Sequence, residues 1–290
     1  MKSLILARGR FAALAGPAFA ALLVAGCGGG GSSSMPSFPI SPTSPSSPAS
    51  PGAPVIDSCG AIAGFADTPQ GIVNGIACTG QQADRSSVVS LQLLGSDGEA
   101  ESFCSGTVID AKAVLTAAHC LTSTTKGVAF YQGGGRIPIK AVEFHASPDY
   151  TGTGPSSLDV GVVIFGEPLE RTPIPLLTSR AVASGESAVV AGWGTNGLPG
   201  GNSALRAGTL TVTRVTQTQI EVAYSSTSSS VCSGDSGGPL LASQGGVWSV
   251  AGVTSAVTVG CLSGASYYAN VFNATVRSFI LKYVPGAGER

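Results

Sequence analysis

The chain has 290 residues with 15 basic against 16 acidic side chains, a near-neutral balance that leaves no electrostatic case for nucleic acid as a partner. Its 41 glycines and 18 prolines, set among many Ser, Thr and Val, favour turns and short strands over helices. Seven cysteines are more than a reducing compartment usually keeps, and an odd count leaves one outside any internal pairing.

Residues 1–26 read as an export signal, with Lys2, Arg8 and Arg10 ahead of an apolar run from Phe11 to Val24. That run is interrupted by Gly16-Pro17 and is short for a membrane span, which needs about 20 residues. It ends in Val24-Ala25-Gly26-Cys27, which resembles the lipobox of bacterial lipoproteins, whose cysteine is acylated and becomes the mature N-terminus. Acylation of Cys27 accounts for the odd cysteine; an ordinary signal cut after Ala18-Phe19-Ala20 is the alternative. Gly28, rather than aspartate, follows Cys27, which the resemblance associates with the outer membrane. Several acyl chains hold a protein to a membrane more firmly than one. Residues 27–56 are four glycines and then a Ser/Pro-rich stretch, too polar to bury a core, and read as a tether.

Cys59 and Cys78 then flank Ile72-Val-Asn-Gly75. Val-Val-Ser-Leu-Gln-Leu-Leu from Val88 reads as a strand, and residues 102–110 and 113–120 as two more around an Asp110-Ala-Lys112 turn. Further Val/Ile-rich runs at 137–144, 158–165, 187–193, 208–215, 219–224 and 247–254, separated by turn residues, predict an all-β barrel or sandwich. Only about 272–284 has helical spacing, with Phe272, Val276, Phe279, Ile280 and Tyr283 near one face.

The most specific stretch is Cys232-Ser-Gly-Asp-Ser-Gly-Gly-Pro-Leu240. Glycines let such a loop turn tightly and admit another chain closely. The N–H groups of Gly234 and Ser236 can share a spot beside the Ser236 hydroxyl, as an oxyanion hole requires. A serine hydroxyl is a weak nucleophile until a base takes its proton. The chain offers two histidines: His119 in Thr116-Ala-Ala-His-Cys120, and His145 in the turn-like Phe144-His-Ala-Ser-Pro148, where exposure to solvent is expected. Asp159 heads a buried strand, where a carboxylate needs a partner, whereas the competing Asp149 sits in a solvated turn.

These motifs, with Leu158-Asp-Val160 and Gly192-Trp-Gly194, stand in the order found in chymotrypsin-like (trypsin-fold, S1 family) serine endopeptidases, which the chain resembles from Ile72 to about Tyr283. The resemblance implies two packed six-stranded antiparallel Greek-key β-barrels, about 72–175 and 176–271, with a C-terminal helix, in a peptidase domain of 72–290. It gives Ser236 as nucleophile, His119 as general base and then acid, Asp159 as the group that orients the imidazole, and Gly234 and Ser236 as oxyanion donors. It pairs Cys104 with Cys120 and Cys232 with Cys261, leaving Cys59 and Cys78 to pair. It also makes 57–71 a pro-segment: a cut before Ile72 frees an ammonium that pairs with Asp235. Gln70-Gly71 departs from a trypsin-cut site, so either another protease cuts or Asp235 has a different partner in an uncut chain.

By the same resemblance the base of the specificity pocket is Ser230 with Val231 beside it, its wall is Ser255-Ala256-Val257, and Ser266 lies opposite. A neutral base with Val257 in place of a glycine predicts cleavage after small neutral residues, as in elastase-like enzymes. Ala256 stands where the family usually has tryptophan. No cofactor or metal is expected: between His119 and Asp159 only Glu143 and Asp149 are acidic, too few for a calcium cage. The expected partner is a peptide or protein substrate, met by a monomer. Two other functions fit the same residues, a catalytically silent homologue that binds a protein and an esterase.

Overall fold

A computed structural model describes Cys59, 72–78, 86–122, 124–131, 138–152, 154, 157–195 and 204–290. The expected signal, the tether with Cys27, and all of the pro-segment except Cys59 lie outside the described residues. Among those described, no helix is long and apolar enough to cross a membrane.

Strands β2 (Val88–Leu94), β3 (Ala100–Asp110), β4 (Ala113–Thr116), β5 (Gly127–Tyr131), β6 (Pro138–Ala146) and β7 (Gly161–Phe165) close into an antiparallel barrel in the order β2-β3-β4-β7-β6-β5. Its interior is packed by Leu91, Val108, Leu115, Phe130 and Phe165, each at most 1% exposed. Phe130 and Phe165 meet edge to face with ring centres 5.4 Å apart. The expected strand at 113–120 is shorter than its sequence suggests. It ends at Thr116, and Ala118–Leu121 forms a 3₁₀ turn that carries His119.

The second half forms one eight-stranded sheet. In chain order its later strands are β8 (Ser187–Gly192), β9 (Arg206–Thr211), β10 (Arg214–Val215), β11 (Gln219–Ala223), β12 (Pro239–Gln244), β13 (Val247–Val257) and β14 (Ala265–Asn270). Strand β1 (Ile76–Ala77) joins it, giving the order β1-β9-β8-β12-β13-β14-β11-β10. Residues 72–77, which the expected boundary assigns to the first barrel, therefore pair with the second sheet: Ile76 lies opposite Ala207 and Ala77 opposite Arg206.

Strands β8 and β12 are buried on both faces, and alternation of side chains feeds a different cluster from each. Ala188, Val190, Leu240 and Ala242 join Ile72, Ile220 and Tyr268 in the core of the second sheet. Val189, Ala191 and Leu241 face the cluster that runs through the first barrel. This shared layer joins the first barrel to the second sheet.

Helix α1 (Ala274–Tyr283) follows. Asn273 caps it, its side chain accepting from the N–H groups of Thr275 and Val276. Val276, Phe279 and Ile280 are buried as expected, but Phe272 precedes the cap and is 44% exposed. Three disulfides join Cys59–Cys78, Cys104–Cys120 and Cys232–Cys261.

Candidate active site

The 3₁₀ turn after β4 and the residues just before β7 bring His119 and Asp159 together. The imidazole Nδ1 donates to Asp159 Oδ2 at 2.7 Å, and the His119 backbone N–H donates to Oδ1 at 2.9 Å. A carboxylate only accepts, so Nδ1 carries the proton and Nε2 is left as the basic nitrogen. Asp159 is 2% exposed, and a third donor, the Ser255 hydroxyl, reaches its Oδ2 at 2.6 Å. Three hydrogen bonds compensate the loss of water around that charge. Burial, and then the Asp159 charge, push the nearby Tyr150 phenol above its ordinary pKa.

Ser255, expected in the pocket wall, also reaches the pair through its hydroxyl. The ladder between β13 and β14 shifts register between Thr254 and Ala256, so Ser255 sits in a bulge. Bulges re-aim a side chain at sheet edges and active sites. Here the bulge turns a hydroxyl onto Asp159, a role with no sequence signal of its own.

Ser236 lies on the loop from Cys232 to β12. Gly234 and Gly237 adopt φ of 91° and 82°, values that favour glycine. A Cβ on Gly237 would collide with the Thr116 hydroxyl and the Ser105 carbonyl, and would lie 2.9 Å from the Ala117 N. The loop is therefore pressed against the segment that leads into His119. Ser105, in β3 beside Cys104, pins it: its N–H donates to the Ser236 carbonyl at 2.8 Å and its hydroxyl to the Gly234 carbonyl at 2.8 Å. The Trp193 N–H donates to the same Ser105 hydroxyl at 2.9 Å. Ser105 was not singled out from sequence, because only the folded pairing of two distant segments gives it this place.

Among the described residues the N–H groups of Gly234 and Ser236 donate to no protein acceptor, which leaves both for an oxyanion. Ser236 is partly exposed, and among the described residues its hydroxyl makes no hydrogen bond to His119. Such contacts are often loose before substrate binds.

Of the other residues singled out, Asp149 is exposed and apart from the pair. His145 is not in a turn. It lies in β6 and stacks on Tyr283 of α1 with ring centres 3.8 Å apart, because the helix packs over that edge of the barrel. It also bonds Glu143 at 3.1 Å.

Val257 lies opposite Ser266 in the β13–β14 ladder, and the Ser266 and Ser230 hydroxyls are 3.4 Å apart. Ser230, Val231 and Ser266 are all at most 5% exposed. Tyr268, two residues along the same face of β14, is fully buried; burial pushes its phenol well above the ordinary range, with the Ser266 hydroxyl opposing and the Asp235 charge adding. The described lining thus carries hydroxyls and no charge. A separate groove of about 750 Å³ beside β1 is lined by Asn74, Thr209, Tyr224 and Ser228 and includes none of these groups.

Asp235, 1% exposed, accepts from the N–H groups of Gly194 and Cys232, both at 2.8 Å. Burial raises its carboxyl from an ordinary 3.8 to about 7, against the pull of those two hydrogen bonds and of the Arg206 charge. Cys104, His119 and Cys120 cluster at metal-ligand spacing, but the two sulfurs are bonded to each other and supply no thiolate.

A closed antiparallel barrel, a second sheet and one C-terminal helix are the architecture of the trypsin fold. Comparison with known proteins agrees: the trypsin family profile matches residues 72–279, and the chain belongs to that family. The chain is 26% identical over 175 residues to a trypsin-like protease of Streptomyces glaucescens, covering 52% of this chain and 64% of that protein. It is 31% identical over 179 residues to trypsin alpha-4 of Lucilia cuprina, covering 53% of this chain and 66% of that protein. In both cases it spans less than two thirds of the relative's length. Among solved structures, HL collagenase superposes with a TM-score of 0.59 at 22% identity, over 74% of this chain and 99% of that one, a likeness of fold.

Proposed function

We propose that this chain is a serine endopeptidase, a hydrolase that cleaves peptide bonds through an acyl-enzyme. Ser236 attacks the scissile carbonyl. His119 Nε2 takes its proton and later gives it to the leaving amine. Asp159 holds the imidazole and stabilises its cation, and the N–H groups of Gly234 and Ser236 receive the oxyanion. The observation that carries this reading is the 2.7 Å His119–Asp159 bond set beside a serine loop whose two N–H groups are unspent. Hydrolysis of casein and of peptide nitroanilides, lost in Ser236→Ala, tests it. Hydrolysis of simple esters alone would point to an esterase, and no turnover of either would point to a silent binding homologue.

The pocket favours small neutral side chains such as Ala or Val before the scissile bond. Val257 narrows it opposite Ser266, and Ser230 at its base carries no charge to hold Arg or Lys. A nitroanilide panel checks this, and faster cleavage after Arg or Phe would contradict it.

Cys27 is the site of lipid attachment in this proposal, with 28–56 as tether, the body exported and held at the cell envelope, and 57–71 a pro-segment. The Cys59–Cys78 bridge spans the Gly71–Ile72 bond, so a cut there leaves the body attached through that disulfide alone. Reducing it would release the protease from its anchor. Anchored activity that persists unchanged in a cut Cys78→Ser protein would overturn this, and N-terminal sequencing reports lipidation and cutting together.

A further inference from the structure

A loop glycine has no side chain to hold it, so the direction of its peptide groups is set by whatever they bond. Gly234 is such a residue. A Cβ there would collide with the Phe103 ring and lie 3.0 Å from the Gly194 Cα, so only glycine fits at its φ of 91°. Its N–H is one of the two groups proposed to receive the oxyanion, and it serves only if it is aimed where that charge develops.

Two bonds fix it. The Ser233 carbonyl accepts from the Thr195 N–H at 2.9 Å. That carbonyl and the Gly234 N–H belong to one planar trans peptide and point opposite ways, so the bond turns the N–H away from Thr195. On the other side, the Gly234 carbonyl accepts from the Ser105 hydroxyl at 2.8 Å. The same hydroxyl accepts from the Trp193 N–H at 2.9 Å. Residues 193–195 thus spend three successive N–H groups on this corner: Trp193 on the Ser105 hydroxyl, Gly194 on Asp235 and Thr195 on Ser233.

Ser105 is itself anchored in the first barrel. It is fully buried and lies opposite Ser90 in the β2–β3 ladder. Its carbonyl accepts from the Thr116 hydroxyl at 2.8 Å, just ahead of the turn that carries His119. Its N–H holds the Ser236 carbonyl, a bond that any residue but proline can make. The two side-chain bonds are different, because they need a group that donates and accepts at once. One hydroxyl of the first barrel therefore ties together both segments that shape the Gly234 N–H.

We propose that Ser105 is a positioning residue for the oxyanion hole: by holding the Gly234 carbonyl and the Trp193 N–H, its hydroxyl aims the Gly234 N–H at the developing oxyanion. This rests on the peptidase reading. Ser105 is buried and acts through Gly234.

The test compares Ser105→Ala and Ser105→Gly with wild type on peptide nitroanilides, each as full-length chain brought to the N-terminus of the active wild type. The methyl of alanine fills the site and leaves the Gly234 carbonyl and the Trp193 N–H unpaired, whereas glycine leaves room for a water that can make both bonds. Ser105→Ala should therefore lower kcat about 10- to 100-fold with KM changed less than about twofold, and Ser105→Gly should lose less. A side chain that only fills space predicts the reverse order. A peptidyl trifluoromethyl ketone gives a second readout. The Ser236 oxygen bonds to its carbonyl carbon, His119 takes the proton, and the carbonyl electron pair becomes an oxyanion. Its Ki should rise in each variant by the factor by which kcat/KM falls. Should Ser105→Ala not fold, that match in Ser105→Gly carries the test. Unchanged kcat in both variants, a loss in KM alone, Ser105→Ala more active than Ser105→Gly, or a kcat loss with no rise in Ki would each overturn the inference while leaving the peptidase reading intact. A wild type that neither turns over nor binds the ketone would overturn both.

Discussion

The first barrel and the second sheet supply the cleft with parts of different character. The barrel contributes His119 and Asp159 from a 3₁₀ turn and a strand entrance, joined by two short hydrogen bonds on a closed sheet, with a third donor reaching Asp159 from Ser255 of the second sheet. The second sheet contributes Ser236 from a loop with two glycines at positive φ and a buried carboxylate that accepts two of its neighbours' N–H groups. In the proposed reaction the base thus comes from a closed sheet and the nucleophile from a loop packed on a buried carboxylate.

The strongest way to break that division is to ask whether the halves act alone. Ser236→Ala is expected to lower kcat roughly 10⁶-fold, and His119→Ala added to it to cost little more, since residues acting as a unit are not additive. Independent losses in the double variant would mean the two sides do not form one site.

The second half should also carry its own pH signature. The folded carboxyl of Asp235 titrates near 7 against an ordinary 3.8, so between those values the folded chain keeps a proton that the unfolded chain has released. Stability conferred by this group is therefore full below about pH 3.8, falls as pH rises through that window by at most about 1.4 kcal/mol per unit, and levels off above it. Glu186 and Glu289, held below 4.5 by Arg180 and Arg277, act in the opposite sense and only at lower pH. Denaturant unfolding from about pH 5 to 7 should show a decline that Asp235→Asn removes. A slope unchanged by that substitution would remove Asp235 as its source.

At the seam, Gly237→Ala should destabilise by about 1–3 kcal/mol, since its Cβ meets backbone and the Thr116 hydroxyl across the interface. Unfolding midpoints check this. Ser255→Ala should lower kcat about tenfold with KM little changed, by removing one donor to the buried Asp159. A KM effect instead would mean that Ser255 acts on substrate binding rather than through Asp159.

How much of this was legible in the sequence divides along the same line. Most short strands were visible from Val/Ile runs between turn residues, and the Ser236 loop from its glycines, because both are written in contiguous residues. The strand before His119 is shorter than its sequence suggests because Ala117-Ala118 continues an apolar run that the backbone leaves at Thr116. Phe272 fits a helical period, but Asn273 caps the helix after it. Ser105, and the bond from Ser255 to Asp159, were not legible for a different reason. Each depends on a partner far along the chain: Ser105 meets Gly234, 129 residues on, and Ser255 is turned by a bulge onto Asp159, 96 residues back. Buried charge pairing and register belong to the fold, and no local pattern announces them.

The account rests on Ser236 being a nucleophile activated by His119. Intact mass after fluorophosphonate treatment, followed by peptide mapping, tests this most directly. One adduct per chain on Ser236, absent from His119→Ala, is the predicted result; an unmodified chain, or an adduct on any other residue, would contradict it.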